Sequence, residues 1–187
     1  MGANTKIKCI SLWQPWASLM GRYKTIETRH WYTNYRGLLA IHAAKRSNFF
    51  EESEVLGDIV THVHATYGAW PNGWNHWLSF VEQHACGLPR GAIVAVAELV
   101  ACRPTNDAAL SALSSIEYAC GNYGPGRFGW QFDKIVPLPA TIPLRGQQGL
   151  FDLPDDIARQ CALAHDLGMR SDNAATLDGR EHRGTPG

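Results

Sequence analysis

Lys24 and Glu98 are the two side chains of this sequence whose types suit proton transfer within one site. Lys24 lies between Arg22 and Arg29 on a loop-like stretch, an amine placed to act as a general base. Glu98 interrupts the apolar run "AVAELVA", where a carboxylate needs either a partner or a task. Facing each other across a cleft, the two would supply base and acid for a hydrolysis. They would equally well neutralise each other as a structural ion pair, and the residues alone leave both readings open.

The surroundings of Lys24 suggest a ligand. The stretch "GRYKTIETRHWYTNYRG", residues 21–37, contains Arg22, Lys24, Arg29 and Arg36, with Glu27 as its one carboxylate. Tyr23, Trp31, Tyr32 and Tyr35 are interleaved with these cations. That mixture suits gripping phosphates and stacking on flat rings, as in nucleic-acid binding. Arg29 and Arg36 can hold a phosphate or a carbonyl by paired donors, or can be solvated surface charges. Just ahead of the loop, Trp13, Gln14 and Trp16 flank Pro15 and are candidate contacts for a base. Trp16 has a competing use as a core residue, because it falls on the apolar face of a short helix.

Composition narrows the partner. The chain has 187 residues, enough for one domain with a proper core, and its formal net charge is zero. The charge is unevenly spread: residues 1–46 carry eight Lys or Arg against Glu27 alone, and the excess of acids lies in the remainder. An anionic partner meeting the N-terminal part would explain the split, and so would mutual neutralisation on folding. Zero net charge argues against indiscriminate polyanion binding and favours a small, defined ligand. No long apolar run suggests a membrane span or signal peptide. Five cysteines without a C-x-x-C pair point to reduced thiols in a cytoplasmic protein. His62, His64, His76 and His84 have no zinc-like spacing, so no metal is expected. The Gly-x-Gly of "GPGRFG" reads as a turn, since no strand-turn-helix surrounds it, and no cofactor is expected.

The elements that must position these residues follow from hydropathy patterns. "KIKCISL" alternates like a half-buried strand, and a short helix opens at Pro15 with Trp16, Leu19, Met20 and Tyr23 on one face. "KTIETR" reads as extended, "LLAIHAA" as a buried strand, and Ser47 as the cap of a helix behind it. Residues 66–90 form a turn-rich, aromatic segment in which Trp70, Trp74 and Trp77 share helical spacing. "AIVAVAELVAC" is the clearest strand, and Asn106 or Asp107 can cap a short helix after it. "GRFGWQFDKIVPL" and "ATIPLRG" look like two further strands ended by Pro or Gly. A closing helix begins near Pro154 and stops at Gly168, leaving 169–187 as a disordered tail. Strands outnumber helices and follow one another directly, which predicts an α+β domain on a small curved sheet or barrel.

Six separated stretches, "SLWQPWASLM", "GRYKTIETR", "YRGLLAIHAAK", "AIVAVAELVAC", "GRFGWQF" and "PLRGQQGLF", resemble in order the ASCH domains of the PUA-like superfamily. The resemblance implies a small β-barrel with helices at its openings over residues 1–168, with 66–90 as an insertion. It also implies a cleft lined by "GRYKTIETR" and recognition of RNA or of a nucleotide, modified or not. Some members hydrolyse the amide of N4-acetylcytidine, others RNA. Deacetylating members use a lysine, a threonine three residues later and a strand glutamate, which Lys24 and Glu98 match at either end. The middle position is Glu27, and Thr25 and Thr28 lie out of register. A carboxylate cannot replace a hydroxyl nucleophile without changing the mechanism, so recognition is the primary expectation and hydrolysis the alternative.

Overall fold

The computed structural model describes residues 6–21, 23–46, 87–110 and 113–181, together with positions 57 and 61. Arg22, residues 66–86 of the expected insertion and residues 182–187 lie outside the described residues, as does most of the segment behind Ser47.

Among the described residues six strands make one mixed sheet. They are β1 (Lys8–Leu12), β2 (Ile26–Arg29), β3 (Gly37–Ala43), β4 (Ala92–Pro104), β5 (Phe128–Pro143) and β6 (Leu150–Asp152). Their order is β2-β5-β4-β3-β1-β6, and the curled sheet forms a half-barrel with β2 and β6 at its edges. Only β1 and β3 run parallel, with Lys8 opposite Leu39 and Leu12 opposite Ala43. The central strands β3 and β4 are buried on both faces, which is why they read as nearly unbroken apolar runs. One face carries Ile10, Leu12, Leu39, Ile41, Ala97, Leu99, Trp130 and Phe132, and α1 (Trp16–Leu19) adds Ala17. The other carries Ile7, Cys9, Ala40, Ile93, Val96 and Phe151, covered by Ala158 and Cys161 of the C-terminal helix α3 (Asp155–Glu181). A further helix, α2 (Ser115–Ala119), is one turn and a half between β4 and β5, preceded by a 3-10 turn at Ala108–Leu110. The α+β, half-barrel architecture agrees with the fold expected from the sequence.

Three element boundaries differ from that expectation, each for a local reason. The first helix has four residues and does not reach Tyr23. Gly21 takes a φ of +79° directly beneath Ile135, and a Cβ there would lie 2.8 Å from Ile135 Cγ2. Only glycine fits that turn without strain. The two strands expected after Gly126 are one strand, β5, which continues through Pro137 and Pro139. Among the described residues no strand flanks β5 on its outer side beyond Phe132, and bulges interrupt its ladder with β4. Proline's missing N–H costs least at such positions. Finally, α3 does not stop at Gly168 but runs to Glu181. Gly168 is a packing residue: a Cβ there would sit 2.3 Å from Val136 Cγ1, so the bare backbone lets the helix lie on β5.

Candidate functional site

The site grows from β2. Glu27 and Arg29 are two residues apart on a strand, so their side chains share a face and touch, Glu27 Oε1 lying 3.2 Å from Arg29 Nε. That N–H is buried without a hydrogen bond, so the contact neutralises charge without a directed bond. Arg29 Nη2 donates instead to the Ser11 carbonyl at 2.9 Å, tying β2 to β1. The second Glu27 oxygen lies 3.2 Å from Lys24 Nζ. Lys24 is fully buried, and its ammonium also donates to the carbonyls of Ile26 and, at 3.0 Å, of Cys120. Its three donors are thereby matched by three acceptors.

This cluster floors a cleft of about 410 Å³. Leu12, Trp13 and Trp16 line it together with Glu27, Thr28 and Arg29 of β2, and with Asn122 and Arg127 beyond α2. Arg127 is held open-handed across the strand end, donating to the carbonyls of Thr28 and Asn122, both at 3.0 Å. Thr28 Oγ1 accepts from the Asn122 N–H at 3.1 Å. Cys120 also lines the cleft, but burial, with Glu117 reinforcing it against the opposing pull of Lys24, pushes its thiol up to about 12. It stays a neutral thiol and supplies no thiolate nucleophile.

Beneath the cleft, Glu117 acts as a carboxylate clamp that the sequence reading missed. Its Oε2 accepts from the Thr25 N–H at 2.7 Å and the Thr25 hydroxyl at 2.9 Å, and its Oε1 from the Ile26 N–H at 3.1 Å. Tyr123 donates to the same carboxylate at 3.4 Å, its phenol pushed up by burial and then by that charge. The signal was present: Ser114-x-x-Glu117 has the spacing of a capping box, and Ser114 does cap α2. Glu117 turns its side chain to the "KTI" backbone and so fixes the loop that carries Lys24. Arg127 was missed too, because it falls where the turn "GPGRFG" runs into a strand and was given no role.

The structure separates residues that the sequence placed together. The expected Lys24–Glu98 couple is not formed. Glu98 lies outside the cleft and pairs with Lys134 at 2.8 Å on the surface. Lys134 reaches it because it has a φ of +46° where the β4–β5 register shifts between Val96 and Glu98. A bulge thus supplies the partner that the mid-strand carboxylate required. Thr25 is occupied by Glu117 and does not line the cleft, whereas Thr28 does. Gln14, almost fully buried, donates to the Pro89 carbonyl at 2.7 Å and to Ser18, so it fastens the turn before α1 and faces no ligand. Arg36 donates to the carbonyls of Thr33 and Tyr35 and lies outside the cleft lining. Trp13, Trp16, Lys24, Glu27 and Arg29 are brought together as expected.

The family model for the ASCH domain matches residues 10–138, well over half of the chain and all of the cleft. The chain is an ASCH domain. Among solved structures, the ASCH domain chain is similar to the crystal structure of ASCH from Zymomonas mobilis at 15% identity and a TM-score of 0.45. That match covers 85% of this chain and 94% of the other. No curated protein matches the chain. Within this ASCH domain, no helix among the described residues is long and apolar enough to cross a membrane.

Proposed function

We propose that this ASCH domain recognises a single nucleotide, free or displaced from an RNA strand, in the cleft between Trp13/Trp16 and Arg127. One observation carries the reading: two indoles, the part-buried Arg29 and Arg127 and the exposed Asn122 line one cleft with the buried, paired carboxylate of Glu27, in a volume of about 410 Å³. That volume falls in the range of small-molecule sites and suits a base with its sugar. A base would stack on the Trp16 indole, a contact worth about 1–3 kcal/mol. Glu27 would accept from an amino or imino edge, while Arg127 and Asn122 offer donors to carbonyl oxygens or a phosphate. Lys24 serves this reading from behind, setting the position of Glu27 without reaching the ligand.

Isothermal titration of the four nucleoside 5′-monophosphates tests it. At least one should bind, and Trp16→Ala and Arg127→Ala should each weaken that binding roughly tenfold, the scale of one stacking contact or one charged hydrogen bond. Absence of binding for all four at millimolar concentration, or indifference to both substitutions, overturns the reading. Incubation with N4-acetylcytidine, following acetate release, is the companion measurement. With no hydroxyl three residues after Lys24 and with Glu98 committed to Lys134, no turnover is expected.

A further inference from the structure

A second recess opens on the far side of Trp13. It has a volume of about 910 Å³ and shares Ser11 and Trp13 with the first cleft. Lys45, Arg46 and Arg145 line it, all three exposed, and no carboxylate is found among the described residues of its lining. Among the described residues Lys45 and Arg145 form no ion pair. Arg46 places its guanidinium 5.6 Å from the centre of the Trp13 ring, a cation over an aromatic face. Trp13 itself is 48% exposed, unusual for an indole at the centre of a charged surface. The floor is rigid: the buried His42 donates from Nε2 to the Leu144 carbonyl at 3.0 Å and accepts the Ser11 hydroxyl at Nδ1 at 3.1 Å. Gly146 lies directly on this pair, where a Cβ would come 2.5 Å from His42 Cε1. The rim loop is therefore seated on the sheet, which aims Gln147 and Gln148 into the recess.

Cations without an ion-pair partner among the described residues, spaced around an aromatic platform, match a strand of nucleic acid, in which phosphates and bases alternate. We infer that the second recess seats the nucleotide adjoining the one held in the cleft, so that the ligand is a single-stranded oligonucleotide crossing Trp13. Lys45 and Arg145 take the phosphate between the two nucleotides and the one beyond. The Trp13 indole with its Arg46 cover receives the second base, and the Gln147 and Gln148 amides meet base edges without selecting one strongly. The recess is more than twice the volume of the cleft, which a second, loosely read nucleotide explains and a lone phosphate does not. This inference rests on the proposed function, because it assumes a nucleotide in the cleft.

The test titrates fluorescently labelled single-stranded RNAs of one to four nucleotides against the full chain, its Lys45→Ala/Arg145→Ala double variant and Trp16→Ala. A poly-glutamate peptide of matched charge serves as competitor. Lys45 and Arg145 are exposed, and an unchanged melting temperature shows that the double variant folds. Extending the mononucleotide to a dinucleotide should strengthen binding about tenfold, as one added stack and phosphate contact provide. The double variant should lose that gain and leave the mononucleotide affinity within about twofold. Equal affinity for one and four nucleotides overturns the inference, as does a double variant that weakens all lengths alike. Equal competition by poly-glutamate reassigns the recess to acidic peptides. If the double variant weakens the tetranucleotide while Trp16→Ala changes neither length, the cleft reading fails and takes with it the pairing of two adjoining nucleotides, leaving the recess as a separate strand-binding site.

Discussion

At the scale of single residues, the most informative finding is that Lys24 is structural. An amine whose three donors meet Glu27 and two carbonyls in a fully buried position holds the loop, β2 and the α2 turn to one another. Removing one member of a buried pair leaves the other charged and unpaired, at a cost of about 3–5 kcal/mol. Lys24→Met is therefore expected to lower the melting temperature by roughly 10 °C in a domain of this size. Thermal denaturation followed by circular dichroism measures it, and a shift under about 3 °C would show that the amine is dispensable to the fold. Loss of binding in that variant would report a damaged scaffold and not a lost ligand contact. His42 gives a second prediction. Burial lowers its pKa below the ordinary 6.5, against a smaller opposing contribution from the Leu144 carbonyl. Its neighbours, the Ser11 hydroxyl, that carbonyl and the Gly146 backbone, carry no charge. The unfolded chain thus takes up the proton first as pH falls through 6.5, so stability is lost on acidification and is independent of this group above that range. His42→Gln should narrow the difference in melting temperature between pH 7.5 and pH 5.5. An unchanged difference would mean that His42 is not a source of the acid sensitivity.

At the scale of elements, the packing of α3 on β5 depends on an absent side chain. Gly168 sits against Val136 so closely that even a methyl group must displace the helix or the strand. Glycine is ordinarily the poorer helix residue, and its replacement by alanine in an exposed helix interior stabilises by about 1 kcal/mol. Here the sign should reverse: Gly168→Ala is expected to destabilise by about 1–3 kcal/mol, the usual cost of overpacking. Urea denaturation measures it, and a stabilised variant would show that the contact relaxes freely. The β4–β5 ribbon illustrates the same dependence on neighbours. Its register shifts bend two long strands, place Lys134 beside Glu98, and accommodate prolines that a regular central ladder would reject.

At the scale of the whole molecule, the uneven charge becomes a geometric fact. Arg29 and Arg127 face the cleft, Lys45, Arg46 and Arg145 the adjoining recess, and Trp13 stands between them. The excess of acidic residues outside residues 1–46 keeps the net charge at zero. Two to four phosphate contacts on single-stranded RNA imply a log–log salt slope of about −1.5 to −3, at about −0.7 per phosphate. Fluorescence anisotropy of an oligonucleotide between 50 and 300 mM salt tests this. A slope steeper than about −5 would require a far longer binding face than the two recesses provide.

The sequence by itself determined the family, the sheet-rich α+β class and the strands with period-two or fully apolar patterns, because those follow from local hydropathy and from motifs spread along the chain. It also pointed to Trp13, Trp16, Lys24, Glu27 and Arg29 as neighbours in one cleft, since cations and aromatics clustered within a few turns of chain stay near one another however it folds. Only the tertiary structure decided which charges meet. Glu98 could be read as catalytic while its partner was unknown, and that partner, Lys134, arrives through a bulge in a strand pairing separated by some 36 residues. Glu117 reaches the "KTI" backbone across 92 residues, and Gln14 reaches Pro89 across 75, distances over which sequence spacing carries no geometric information. Side-chain identity sets what a group can do, but burial and long-range register set what it is next to, and an ionisable group takes its role from that neighbour.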